Sequence, residues 1–338
     1  MNKKLAVVVL TWNDWKNTIE CLESIFNSSF QNFDVVLVDN NSDEIHLKKI
    51  NEWSKNNIEV EDKEFNFNSN KKIEIKNVKN NSQIENICEK KIYIIKNNKN
   101  LGLTAGLNVG YKFVLNQGYD YVARIDCDFI ISNDYLKNMV SLFENNNSIV
   151  AASPKIKHAY LRETVWWYKL KINWFYLKFQ QTMNLQKKRI FDNPKLNGII
   201  KTDAICGCCS FYKVDKLKLS GLGDEDFFLG PEDIELSYRL KKHGKIVSNL
   251  NTITYHKIAK SSDVSGKFRR SYTDTIGFLL LIKKIGTFTD KLFGYFYFIL
   301  RIPFFLLMIA LKKRDKDKVY GYCFACKDFF LNRKSKTN

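Results

Sequence analysis

Two carboxylates one residue apart, Asp126 and Asp128, close the short apolar run Tyr121-Val122-Ala123-Arg124-Ile125. In extended or turn geometry, Asp-x-Asp can offer both side chains to one hard divalent cation. Mg²⁺ and Mn²⁺ prefer such oxygen ligands and commonly share phosphate oxygens. An Asp-rich turn after a strand uses the same residue types for purely structural ends. A second acidic cluster, Asp224-Glu225-Asp226 followed by Glu232-Asp233, lies well downstream. Pro231 suits a first helical position, which puts Glu232 and Asp233 in a helix first turn, where the helix dipole favours carboxylates. Beside a cleft, a carboxylate there could also take the proton of an attacking hydroxyl. His256, one of four histidines, ends the strand-like Ile253-Thr254-Tyr255 and is either a third metal ligand or a structural ring.

The elements that must position these residues alternate. Leu5–Leu10 reads as a buried strand, Trp15, Ile19, Leu22, Ile25 and Phe26 recur at helical spacing, and Phe33–Val38 is a second buried strand. This strand, helix, strand start implies a parallel pair with a right-handed crossover. Asp39 then stands at a strand end facing the same crevice as the loop at Thr11. It could accept a hydrogen bond from a nucleobase imide or ribose hydroxyl, or simply open an Asx turn. Residues 48–91 turn polar and read as a surface insertion with no assigned chemistry. After the strand Ile92–Ile95, the stretch Asn100-Leu101-Gly102-Leu103-Thr104-Ala105-Gly106-Leu107-Asn108 opens a helix. Its glycines would let backbone approach a ligand phosphate, although the spacing matches neither a Walker loop nor a dinucleotide fingerprint. A helix at 133–144, a strand at Ile149–Ala152 and a strand at Cys208–Tyr212 follow. The rings of Trp166-Trp167-Tyr168 and Trp174-Phe175-Tyr176 suit either core packing or a platform for a sugar or lipid face.

With 45% apolar residues, the 338-residue chain has ample core for one large domain and an appendage. The apolar run at the N-terminus is too short for a signal sequence, and eight cysteines in mostly apolar settings suit a reducing compartment. Cys206, Cys208, Cys209, Cys323 and Cys326 invite a zinc reading, but neither cluster resembles a knuckle. The net charge of +18 is uneven: residues 259–338 hold 17 Lys and Arg against six Asp. Interleaved with them is the aromatic-rich stretch Leu292–Leu311, interrupted by Arg301 and Pro303. Basic residues flanking such a stretch point to an anionic membrane surface, with an in-plane segment expected and a single span or packed soluble helices as alternatives. No nucleic-acid module accompanies the charge, so no nucleic-acid partner is expected.

The order of these pieces is more specific than any one of them. Thr11-Trp12-Asn13, Val38-Asp39-Asn40-Asn41-Ser42, the Asn100–Asn108 segment, Asp126-Cys127-Asp128, Glu225-Asp226-Phe227-Phe228, Gly230 through Leu240 and Tyr255-His256 together resemble family 2 glycosyltransferases. In particular they resemble the bacterial branch with rhamnosyl- and galactofuranosyltransferase-like proteins. The resemblance spans roughly residues 5–258 and implies a GT-A fold: an α/β, Rossmann-like, mostly parallel sheet flanked by helices, here with a C-terminal helical, membrane-associating extension. Its domains would be 1–258, with acceptor-side residues at about 153–258, and 259–338. It further implies inverting transfer from a nucleotide-diphosphate sugar to a glycan or lipid-linked oligosaccharide in bacterial surface polysaccharide synthesis. Thr11, Asn13 and Asp39 would hold the nucleoside, and Gly102, Gly106 and Asn108 would line the donor. Asp126 would approach the ribose or metal, while Asp128 and His256 would bind Mn²⁺ or Mg²⁺. Asp233 would be the base, with Glu232 the second candidate. The expected location is cytoplasmic, on the inner face of the cytoplasmic membrane. The rival is a non-catalytic nucleotide-sugar-binding protein of the same fold. Many relatives carry small or aliphatic residues around Gly207 where this chain has cysteines, so acceptor-side details stay open.

Overall fold

The computed structural model describes residues 3–62, 64–67, 72–79, 82–173, 178–181, 190–257, 266–310 and 315–332. Trp174-Phe175-Tyr176 and Leu311 lie outside the described residues. The chain opens with β1 (Leu5–Thr11), α1 (Trp15–Phe26), β2 (Phe33–Asp39) and α2 (Glu44–Ser54), followed by β3 (Ile75–Asn77), β4 (Ile92–Lys96), α3 (Leu103–Leu115) and β5 (Tyr121–Ile125). β1, β2, β3, β4 and β5 pair in parallel, in the order β5-β1-β2-β4-β3. The chain therefore runs outward from β1 through β2 and β4, then returns to the other side of β1 as β5. That reversal makes a crevice at the carboxyl ends of β1, β2 and β5, where open α/β sheets collect ligands.

Every residue of β2 is buried, as a strand covered on both faces requires. The helix α3 lies tightly over β1 and β2 because Gly106 and Gly110 face them: an added Cβ would come within 2.9 Å of Leu10 and 2.7 Å of Val8 respectively. The polar insertion is more ordered than composition suggested. Its first part is α2, anchored by buried Ile50 and by Trp53, whose indole N–H donates to Glu23 Oε1 at 2.7 Å. Its middle supplies the edge strand β3. Two apolar anchors and one buried polar bond suffice to dock a helix that periodicity alone underweights.

Beyond β5 come β6 (Phe129–Ile131), α4 (Tyr135–Asn145), β7 (Ile149–His158) and β8 (Leu161–Trp167). The hairpin of β9 (Leu170–Asn173) and β10 (Lys178–Gln181) stands apart from the main sheet. β11 (Ile190–Phe191), β12 (Ile199–Lys201), β13 (Cys209–Lys213), α5 (Val214–Ser220), α6 (Glu232–Leu240) and β14 (Lys245–His256) complete this part. β13 inserts antiparallel between β5 and β7, and β14 runs parallel to β7 while its end pairs with β6. The two short strands expected at 246–256 are thus one long strand with an irregular register. Pro231 caps α6 rather than opening it, one position ahead of the expectation. Trp166 and Trp167 are buried in the core, so they are not an exposed platform.

Three helices follow: α7 (Lys267–Ile285), α8 (Phe288–Ala310) and α9 (Lys316–Phe330). α7 joins Leu281 and Ile285 to Phe227, Ile234 and Leu170 in one apolar cluster, and Lys284 pairs with Asp224 and Asp226 at 2.5 and 2.6 Å. Gly277 sits against the backbone just ahead of α6, where an added Cβ would lie 2.6 Å from the Gly230 carbonyl oxygen. Backbone cannot swing aside as a side chain can. Gly277→Leu is therefore expected to cost about 1–3 kcal/mol through overpacking, read as a lower Tm. Among the described residues no helix is long and apolar enough to cross a membrane.

Candidate active site

The first part of the crevice is built by the ends of β1 and β2, where Thr11 and Asp39 are register partners. Both are buried. The protons there can be assigned by counting. The Thr18 hydroxyl donates to the Asp14 carbonyl at 2.6 Å, so the Thr11 hydroxyl must donate to Thr18 Oγ1 at 2.7 Å. Thr11 Oγ1 then has only lone pairs left, and His46 Nε2–H must donate to it at 3.0 Å. His46 Nδ1 is left as a bare acceptor, buried without a partner. Burial holds the His46 imidazole below its usual range, against the pull of nearby Asp39. Asp39 accepts the Ser42 backbone N–H at 3.0 Å on Oδ1, while its Oδ2 is likewise buried and unpartnered. Asn13, at positive φ, ties this loop to the next: its N–H donates to Ser42 Oγ and its Oδ1 accepts from the Asp43 backbone.

Asn40, which the motif reading passed over, fixes the next wall. Its amide nitrogen donates to Asn100 Oδ1 and to the Gly102 carbonyl, and its Oδ1 accepts from Leu101 N–H and Asn97 Nδ2. Gly102 has φ +81°, and an added Cβ would lie 2.6 Å from the Phe228 ring. The close approaches permitted by Gly102 and Gly106 are thus to the protein's own Phe228 and Leu10. The Asn108 side chain is bound to Gly223 and Glu225, so it ties α3 to the second acidic loop.

Arg124 links the two acidic clusters. It is buried on β5, donates to Asp126 from Nε at 3.0 Å and Nη2 at 3.3 Å, and reaches Glu232 Oε1 from Nη1 at 3.1 Å. A buried guanidinium demands such partners, because an isolated charge in the interior is prohibitively costly. A lone arginine inside an apolar strand was the signal that sequence reading could have used. The pairing engages two of the expected residues. Asp126 is held by Arg124, and Glu232 is an ion-pair partner rather than a free carboxylate.

Asp233, next along α6, accepts from the Gly207 N–H at 2.9 Å and from its own neighbour Ile234 N–H at 2.8 Å. Burial, reinforced by the charge of Glu232, pushes its carboxyl up to about 6, against the pull of the Gly207 amide and Arg124. Gly207 has no room for a side chain: a Cβ would lie 2.9 Å from both Arg124 Nη1 and Asp233 Cβ. The flanking cysteines are free thiols, with Cys206 and Cys209 buried, and burial pushes the Cys209 thiol up to about 12.

The turn after β5 carries Asp128 to the end of β14. His256 pairs across the sheet with Phe129, and its Nε2 lies 3.2 Å from Asp128 Oδ2. Phe129 stacks on the imidazole at 4.5 Å and Trp166 meets it edge-on at 4.4 Å, so the ring is fixed in place. Trp166 thus supports the site from behind. Of the three residues expected to gather round a cation, Asp128 and His256 meet and Asp126 turns to Arg124. Among the described residues no group of three or more His, Cys, Asp and Glu side chains is gathered closely enough to hold a metal ion.

The profile of the family described as Glycosyl transferase family 2 matches residues 6–76 and 68–218. A curated relative, an uncharacterized glycosyltransferase of Haemophilus influenzae, is 24% identical over 147 residues, which cover 44% of this chain and 35% of the relative. The chain thus matches about a third of that relative's length. Among solved structures, GalNAc-T7 with UDP, GalNAc and Mn²⁺ is similar at TM-score 0.58 and 14% identity, covering 97% of this chain and 56% of that one. The mannosyltransferase PcManGT from Pyrobaculum calidifontis, in complex with GDP-Man and Mn²⁺, is similar at TM-score 0.55 and 12% identity, covering 97% and 87%. S. aureus TarS 1-349 in complex with UDP-GlcNAc is similar at TM-score 0.54 and 14% identity, covering 97% and 81%. These likenesses establish the GT-A fold.

Proposed function

This chain belongs to glycosyl transferase family 2, and from that premise we propose that it moves a sugar from a nucleotide-diphosphate donor to an acceptor hydroxyl with inversion, Asp233 serving as base. The observation that carries this reading is the Arg124 bridge. It joins Asp126, on the donor side, to Glu232, and so sets Asp233 beside the donor crevice with a carboxyl near 6. A base of that strength is ionised at neutral pH yet still basic enough to accept a proton. In the step, the acceptor oxygen attacks the anomeric carbon and its proton passes to Asp233. The bond from that carbon to the diphosphate breaks, and the nucleoside diphosphate leaves. In-line attack requires the base to stand across the anomeric carbon from the diphosphate. Glu232, ion-paired with Arg124, then orients the start of α6.

Asp128 and His256 fit two of the protein ligands of a divalent cation, since their facing atoms are the hard oxygen and imidazole nitrogen that Mn²⁺ or Mg²⁺ accepts. Such an ion would neutralise charge developing on the leaving diphosphate. The GalNAc-T7 and PcManGT structures with Mn²⁺ support that use. At the nucleoside end, Asp39 Oδ2 and His46 Nδ1 are both acceptors lacking a donor. They favour a base that presents an imide or lactam N–H, as uracil, thymine and guanine do. Adenine and cytosine offer an exocyclic amine instead, beside a ring-nitrogen lone pair that the second acceptor would repel. The acceptor is a hydroxyl of a glycan or a lipid-linked oligosaccharide.

The test is thermal stability against UDP, dTDP, GDP, ADP and CDP, each with Mn²⁺, Mg²⁺ or chelator, because a ligand that binds only the folded protein raises Tm. A metal-dependent rise is expected for one of the first three and not for ADP or CDP. Asp128→Ala should remove the metal dependence, and Asp39→Ala the discrimination among bases. No rise with any nucleotide would sink the reading.

A further inference from the structure

The α8 helix presents far more apolar surface than a helix bathed in water. The inward stripe is Gly294, Phe298 and Phe305 flanked by half-buried Tyr295 and Ile302, with Phe298 and Phe305 stacking on and edging Tyr322 of α9. Most of the remaining circumference is exposed and almost wholly apolar: Phe288 is 81% exposed, Phe293 65%, Phe296 60% and Leu292 57%. Leu300 and Phe304 continue the same surface one and two turns on. A contiguous surface of this kind marks a partner site.

The charges near it are mostly cationic, with Asp290 of α8 and Asp317 of α9 among them. Arg301, which by sequence interrupts the apolar stretch, donates to the Tyr297 hydroxyl at 2.9 Å, and its guanidinium lies 4.6 Å from the Phe305 ring centroid. It is thereby drawn along aromatic faces and does not break the apolar surface. Lys283 of α7 and Lys316, Lys318 and Lys327 of α9 are exposed on the helices that pack with α8. Among the described residues no helix is long and apolar enough to cross a membrane; the apolar surface lies on the side of α8 turned away from α9, so a partner would meet it from one side.

We propose that α8 lies in the plane of an anionic lipid bilayer, its aromatic surface among the acyl chains and its packed stripe on α9, with the neighbouring lysines at the headgroups. This rests on the transferase reading only for its consequence. Through Gly277 and Lys284, α7 ties the membrane-facing helices to the loop that leads into Glu232 and Asp233. The base is thereby held in one packed unit with a lipid surface.

The experiment is sedimentation of the full chain with vesicles of phosphatidylcholine alone or with an equal part of phosphatidylglycerol. Size-exclusion light scattering and nucleotide-induced thermal shift are run on the same samples. The expected result is binding to the anionic vesicles that weakens with salt. The triple variant Phe293→Gln, Phe296→Gln, Leu300→Gln should reduce it roughly tenfold. These side chains are exposed and glutamine is a good helix former, so Tm and nucleotide shift should hold. Lys316→Gln with Lys318→Gln and Lys327→Gln should remove the preference for phosphatidylglycerol. No binding to either vesicle, or binding unchanged in the triple variant, would overturn the proposal. So would a dimer that the triple variant splits without vesicle binding, which would assign the surface to a second copy. Vesicle binding without any nucleotide shift would leave the membrane surface standing and count only against the transferase reading.

Discussion

Asp233→Asn is expected to reduce kcat by roughly 10²- to 10⁴-fold, the usual contribution of a positioned general base, while nucleotide binding and stability are retained. The separation of effects follows from the local chemistry. Asparagine keeps the volume and one acceptor, for the Gly207 N–H, gives up the acceptor for the Ile234 N–H, and removes a charge that burial and Glu232 both disfavour. A group whose carboxyl is raised in the folded state favours the fold when protonated, so near neutral pH the removed charge offsets the lost Ile234 bond and the amide should melt close to the parent. Activity runs the opposite way with pH, because the ionised form is the one that accepts a proton. The parent kcat/KM should fall as pH drops through about 6, and the residual rate of the variant should lose that limb. Initial rates between pH 5 and 8 with a nucleotide-sugar donor, beside melts of both proteins, decide it. An acid limb that persists in Asp233→Asn would assign the base elsewhere.

Arg124→Leu should be the most damaging substitution to the fold. It strands Asp126 and Glu232, both facing the interior at a site where one guanidinium now satisfies them. Breaking a buried pair in this way costs about 3–5 kcal/mol, because a charge is left without compensation. For a chain of this size that corresponds to a fall in Tm of about 4–7 °C. Arg124→Lys should fall between, since one ammonium cannot reproduce the three donors that reach two carboxylates. Adding Glu232→Leu to Arg124→Leu should recover part of the loss by removing one stranded charge. Thermal melts of the parent, the two Arg124 variants, Glu232→Leu alone and the double variant measure this, and an additive double variant would show that the two residues do not communicate.

The elements at the crevice were legible because burial of one or both faces is written locally. Leu5–Leu10 and Phe33–Val38 are apolar without interruption, and Trp15 through Phe26 keeps helical spacing, so each element could be assigned from its own residues. The order of Thr11, Asp39, Asp126-Cys127-Asp128 and Glu232-Asp233 was enough to indicate the family, and the match over 6–76 and 68–218 bears it out. The helix α2 was hidden by its polar composition, because what fixes it is an indole bond to Glu23 on another element.

The functional residues divide along the same line. The sequence by itself determined that acidic residues stand at the ends of strands and at the start of a helix, since those positions depend only on neighbours in the chain. Which carboxylates are ion-paired and which are not was decided by tertiary structure. Arg124 and Glu232 meet across 108 positions, and Asp128 and His256 across 128. The fold alone brings such groups together, and in doing so it commits Asp126 and Glu232 to a guanidinium and leaves Asp233 between two backbone amides with a raised affinity for a proton. Spacing along the chain carries no record of those pairings. They arise from the physical requirement that a charge buried by folding must find its partner among whatever else the fold has buried beside it.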